Sequence, residues 1–261
     1  MRAFACGLAA SLALCATAAG AAPARVASLN LCTDELLLML AAPGQIASVT
    51  HLSHKPAETS LWRAARRHRA NDGSLLSVAP LRPDLVLTMG GGSGDKAGIA
   101  QRLGMRVLDL PYPLSLADVG RGVAMVANAL GRREQGRTVL ARMNALQRSK
   151  PARRIDTVWL GGGGRSVAPT GLAAEWMSLA GLVQRGLPGD RIGLEQLLTR
   201  PPRLLLRSDY RAGQYSVEQR WLGHRLARGA RSRSAVTDGR RWTCMGPTLI
   251  EEVLRLRRAV P

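Results

Sequence analysis

Short runs of branched apolar residues alternate along most of the chain with segments whose apolar positions recur every three or four residues. The stretches RVASLNL (25–31), IASVT (46–50), LVL (85–87) and MRVLDL (105–110) read as strands. The first reads as a buried strand, and the continuous apolar run of the third is that of a strand buried on both faces. Between them, TDELLLMLAA (33–42) reads as a helix that starts at Thr33 or Asp34 and is stopped by Pro43-Gly44. SLWRAARRH, around Trp62, is a second helical stretch, Asn71-Asp72-Gly73 a turn, and GGGSGDKAGIAQRLG a Gly-rich turn that enters a helix. Residues 114–147 carry the longest helical pattern, with Ser115 as N-cap and Gly131 as a kink or break. The alternation then restarts with RIDTVWL, the glycines 161–164, helices in AAEWMSLAG and GLEQLLTR, and the strand RLLL. A helix near VEQRWLGHRLA, a short strand at SAVTD and a final helix TLIEEVLRLRR complete it.

One junction occurs twice. VAPLRPDLVLTM (78–89) and QLLTRPPRLLLRS (196–208) both run from a Leu-bearing helical turn through Arg and Pro into a branched apolar strand. Pro lacks the N–H that would continue the helix. Strand, helix, strand with short connections predicts parallel α/β sheets, and the repeat predicts two similar lobes with the long helix between them.

The first residues stand outside this pattern. Arg2, a short apolar body and the small-residue site Ala19-Gly20-Ala21 read as a secretory signal, too short for a membrane span. Leu14 stands before Cys15 where a lipoprotein signal needs a small residue. Removal of residues 1–21 leaves Cys32 and Cys244 in an oxidising compartment, where they can form one bridge, stay as free thiols or touch a ligand. A net charge of +19 raises nucleic acid as a partner. The arginines are scattered, though, and the aromatics too sparse for a base-stacking platform, so nucleic acid is not expected. The charge reads instead as solubility and attraction for acidic partners.

RVASLNLCTDELLLMLA, LRPDLVLTMGG, LGMRVLDLP, GLEQLLTRPPRLLL and DGRRWTCMGPTLIEEVLRL, in this order, resemble the helix-linked periplasmic substrate-binding proteins of ABC importers, the group that includes vitamin B12-binding and ferric-siderophore-binding proteins. The resemblance implies two Rossmann-like lobes with central parallel sheets, joined by one long helix, with a ligand cleft between them. The lobes would be residues 22–113 and 151–261, with 114–150 as the linking helix. The implied partners are a bulky metal-chelate or corrinoid ligand and an inner-membrane permease; no catalysis and no resident cofactor are implied, and the protein would act in the periplasm as a monomer. Docking in this family uses one acidic residue per lobe. Glu195 matches in the second lobe, while the corresponding place in the first is held by Leu76, with Asp72 as a substitute.

Ligands of open parallel sheets sit beyond the carboxyl ends of the strands. In the first lobe this rule selects Asn30, Thr33, Asp34, His51, His54, Gly91, Ser93 and Tyr112; in the second it selects Gly162, Gly163, Thr170, Tyr210, Arg211 and Trp242. The glycines either let backbone approach a bulky ligand or are plain turns; neither run completes a P-loop or a dinucleotide fingerprint. Tyr112, Tyr210 and Trp242 can stack on a ring system or pack internally. Trp62, Trp159, Trp176 and Trp221 read as core. His51 and His54 are too few for a tight metal site, so no metal site is expected, and His68 and His224 lie in helical stretches. The rival readings are a haem- or metal-ion-binding protein, with His51, His54 and Tyr112 as ligands, and a secreted α/β hydrolase. The latter would use Ser93 and His224, but GGSGD does not form the Gly-x-Ser-x-Gly elbow.

Overall fold

The computed structural model describes residues 22–90, 94–210, 216–228 and 231–260. The leader 1–21 and the candidate residues Gly91, Ser93 and Arg211 lie outside the described residues.

The N-terminal lobe is a five-stranded parallel sheet. Its elements in chain order are β1 (Val26–Ser28), α1 (Leu31–Leu40), β2 (Ile46–Thr50), α2 (Trp62–Ala65), β3 (Arg69–Asn71), α3 (Leu75–Val78), β4 (Leu85–Met89), α4 (Gly94–Arg102) and β5 (Arg106–Leu110). The sheet order is β3-β2-β1-β4-β5. Val26, Val86 and Leu87 are fully buried, which is why these segments read as continuous apolar runs. Helix α1 begins on Asn30, whose side chain accepts from the Cys32 N–H at 2.8 Å. That is the N-cap, three positions before Thr33 and four before Asp34, where the sequence pattern placed the helix start.

After two connecting helices, α5 (Leu116–Ala129) and α6 (Arg133–Arg148), the second lobe is built in the same way. It comprises β6 (Ile155–Leu160), α7 (Leu172–Leu179), β7 (Leu182–Gln184), α8 (Leu194–Thr199), β8 (Leu204–Ser208), α9 (Val217–Gly223), α10 (Arg225–Arg228), β9 (Arg233–Thr237), α11 (Arg241–Cys244) and α12 (Leu249–Ala259). The parallel sheet order is β7-β6-β8-β9. The repeated junction therefore feeds equivalent strands: β4 lies beside β1 in one lobe, and β8 beside β6 in the other.

The connector is a helical hairpin, not the single long helix expected over 114–150. Helix α5 starts in the C-terminal lobe, where Val119 joins the core around Trp176, and ends in the N-terminal lobe, where Val123, Val126 and Leu130 pack with Leu37 and Leu87. Helix α6 returns: Val139 belongs to the N-terminal core, Met143 and Leu146 to the C-terminal one. The reversal is made at Gly131, which takes φ +68°, while the Arg132 N–H closes on the Ala127 carbonyl at 2.8 Å in a Schellman-type stop. The two helices then approach so closely at Gly136 that a Cβ there would lie 2.5 Å from the Ala127 Cβ. The chain thus passes between lobes three times, through 111–115, α5 and α6. Among the described residues no helix is long and apolar enough to cross a membrane.

Candidate functional site

The contacts between the lobes come from segments that follow strands. Cys32 follows β1, Pro56 and Glu58 follow β2, Tyr210 follows β8, and Arg240, Cys244 and Thr248 follow β9. The two sheets therefore turn their carboxyl edges toward each other, the place where open parallel sheets bind ligands.

The seam runs across these loops. Cys32 and Cys244 are joined by a disulfide, with Cα atoms 5.2 Å apart and 212 residues between them in sequence. One turn into α1, Glu35 is buried against both lobes: its Oε1 accepts from Thr59 Oγ1 at 2.6 Å, and its Oε2 from Thr248 Oγ1 at 3.1 Å. Burial pushes the Glu35 carboxyl up to about 7, opposed by these two hydroxyls and the nearby Arg241 guanidinium, with the charge of Asp34 adding to the rise. The Tyr210 hydroxyl donates to Glu58 Oε2 at 2.8 Å, and Arg240 Nη1 donates to the Pro56 carbonyl at 2.8 Å. Gly239 makes the Tyr210 turn possible, because a Cβ there would lie 2.1 Å from Ser208 Oγ and 2.4 Å from the Tyr210 Cβ. Behind the disulfide, toward α5, a small void of about 30 Å³ lies between the lobes, lined by Cys32, Leu36, Leu110, Val119, Cys244 and Pro247.

The residues selected from the sequence separate into groups. Thr33 and Asp34 are fully buried. The Asp34 carboxylate accepts from the Thr50 N–H at 3.1 Å, the Thr50 hydroxyl at 2.5 Å and the Ser53 hydroxyl, so it ties the loop after β2 to α1. Burial raises its carboxyl above the ordinary range, against these hydrogen bonds. Thr33 donates to the Asn30 carbonyl, and Asn30 itself is committed to the cap. Trp242 is 4 % exposed; it packs edge-on against Trp159, ring centroids 6.3 Å apart, and its indole N–H donates to Thr237. Gly162 and Gly163 face helix α9 instead of open space: Cβ atoms there would lie 3.1 and 3.4 Å from Glu218 side-chain atoms.

Three candidates do present surface. His51 is exposed at the start of the 3-10 turn after β2, and Thr170 is exposed before α7. Tyr112 is 62 % exposed beyond β5, between Pro111 and Pro113. Its ring lies on Gly90, where φ is +107° and a Cβ would stand 2.6 Å from the ring, so the backbone of β4 forms a platform only glycine permits. His54 is half-buried with its Nε2 facing protein, and no group of three or more His, Cys, Asp or Glu gathers among the described residues. Glu195 is exposed on α8, and Leu76, at the corresponding place on α3, is 79 % exposed.

Sequence reasoning missed Glu35, Glu58, Thr248 and Arg240. Glu35 carried a signal: it stands four residues after Leu31 and four before Met39, an acid on the apolar stripe of α1. The others are polar loop residues whose partners lie 152 to 213 positions away, which no local pattern encodes.

No protein-family model matches the chain, and no curated protein does. Solved structures do. The periplasmic vitamin B12 binding protein BtuF of Vibrio cholerae superposes with a TM-score of 0.61 at 16% identity, over 90% of this chain and 96% of that one. A periplasmic heme binding protein from Pseudomonas aeruginosa gives 0.62 at 19%, over 91% and 92%. The periplasmic heme-binding protein RhuT from Roseiflexus sp. RS-1 gives 0.58 at 18%, over 90% and 97%. At these identities the likeness is one of fold, and it spans both lobes and their connector: the chain has the two-lobed α/β fold of these periplasmic binding proteins.

Proposed function

We propose that the protein is the periplasmic substrate-binding component of an ABC importer, which takes a bulky metal chelate or corrinoid between its lobes and delivers it to an inner-membrane permease. The observation that carries this reading is the pairing of two parallel sheets, carboxyl edge to carboxyl edge, in a fold shared along its length with binders of vitamin B12 and heme. The reading assigns no catalytic step. Tyr112 is the ligand contact: a rigidly backed, exposed aromatic at the cleft edge offers a large stacking area at small entropic cost. Exposed His51 and Thr170 flank the same edge of their sheets. Glu195 is the permease contact of the second lobe, and the Leu76 position makes the first lobe's contact apolar. The protein works as a monomer.

The test is a titration of the purified protein with ferric siderophores, cyanocobalamin and haemin, read by tryptophan fluorescence. Micromolar or tighter binding of one of them, weakened at least about tenfold by Tyr112→Ala, supports the reading. No binding across the panel overturns it, and haemin binding alone selects the haem-carrier form.

A further inference from the structure

We infer that the Cys32–Cys244 disulfide is a hinge pin: a fourth covalent crossing between the lobes, set against the connector, that restricts their relative rotation. The two cysteines belong to different lobes, at the start of α1 and the end of α11. The bridge is not at the outer rim of the seam. Only a small apolar void separates it from Val119 and Gly122 of α5, the helix whose two ends are built into the two different cores.

Chain and bridge therefore cross between lobes side by side, at 111–115, α5, α6 and the disulfide. A single flexible crossing leaves a second body three rotations. Crossings held at separate points along one edge leave a rotation about that edge alone. The seam farther along consists of hydrogen bonds: Glu35 with Thr248, Glu58 with Tyr210, and the Pro56 carbonyl with Arg240. These can part and reform, whereas the bridge cannot without reduction. Both cysteines are partly exposed, so a small dithiol reaches them. While the bridge stands it limits how far segments 51–61 and 238–248 can part, and cutting it frees the lobes to separate there. This inference holds whatever the cleft carries.

Amide hydrogen exchange of the full chain, read by mass spectrometry, tests it in three forms: oxidised, reduced with dithiothreitol, and Cys32→Ser/Cys244→Ser. Dithiothreitol supplies two electrons and two protons to the bridge and becomes its own cyclic disulfide. The expected result is exchange at least about tenfold faster in 51–61 and 238–248 on losing the bridge, the scale that releasing a crosslink of this loop length allows, with β4 and β8 unchanged. Exchange within about twofold of the oxidised form, after a mass gain of two hydrogens proves reduction, overturns the inference. So does faster exchange everywhere at once, which makes the bridge a global staple. Thr248→Val, which keeps the bridge and removes one seam hydrogen bond, should stay near the oxidised form; if it matches the reduced form, the seam and not the bridge restrains the lobes.

Discussion

Glu35 Oε2 and Thr248 Oγ1 meet at 3.1 Å across the boundary between lobes, and they come from helix α1 and the start of α12. The carboxyl that makes this contact is buried and has its titration raised from 4.5 to about 7. A carboxyl whose folded value exceeds its unfolded one favours the fold while protonated. The contribution is complete below pH 4.5 and is lost as pH rises through 7. Glu35 alone should cost the protein about 3 kcal/mol of stability across that window. Urea unfolding at pH 5 and pH 8 measures it as the part of the pH dependence that Glu35→Gln, which cannot titrate, removes; Asp34, also raised by burial, adds a loss of the same sign, and an equal pH dependence in the variant would contradict the role of Glu35.

Asp34→Ala should destabilise the N-terminal lobe by about 2–4 kcal/mol, because the Thr50 N–H and the Thr50 and Ser53 hydroxyls would be left buried without their acceptor. Chemical denaturation gives the value. A ligand-contact role for Asp34 would instead lower affinity with stability unchanged.

The helical hairpin makes a paired prediction about two glycines in helices. Gly136→Ala should destabilise, since the new methyl would meet the Ala127 Cβ at 2.5 Å and overpacking of this kind costs about 1–3 kcal/mol. Gly98→Ala in α4 has nothing within 4 Å and should stabilise by about 0.5–1 kcal/mol through helix propensity. Melting temperatures of the two variants should move in opposite directions.

Glu195→Arg should abolish uptake in cells while the purified variant binds cargo and melts as the wild type does, because the side chain is exposed on a short helix and no packing depends on it. A fall in affinity would give Glu195 another role.

The sequence pattern carried the lobes and most of their elements, including β2 at its observed limits. It missed β3 and β7. Each is three residues long, RAN and LVQ, and each stands at an edge of its sheet, where one neighbour and partial exposure leave no periodicity to read. That β3 extends the first sheet beyond β2, while β7 closes the second directly beside β6, is visible only once the sheets are assembled. For the site, the rule that ligands sit beyond strand ends brought attention to the right loops. It could not separate Tyr112, which faces outward on Gly90, from Asp34 and Trp242, which face inward, because exposure depends on what packs against a residue.

Local propensity and apolar pattern were enough to determine α/β units, their approximate limits, the repeated junction and a break at Gly131, since these rest on interactions a few residues apart. Whether that break bends a rod or reverses a hairpin was decided in three dimensions, by the burial of Val123 and Val139 in one core and Val119 and Met143 in the other. The bridging of Cys32 to Cys244 and the seam around Glu35 were decided there too. Their partners are about two hundred residues apart in the chain, and only the packing of two finished lobes brings them within bonding distance.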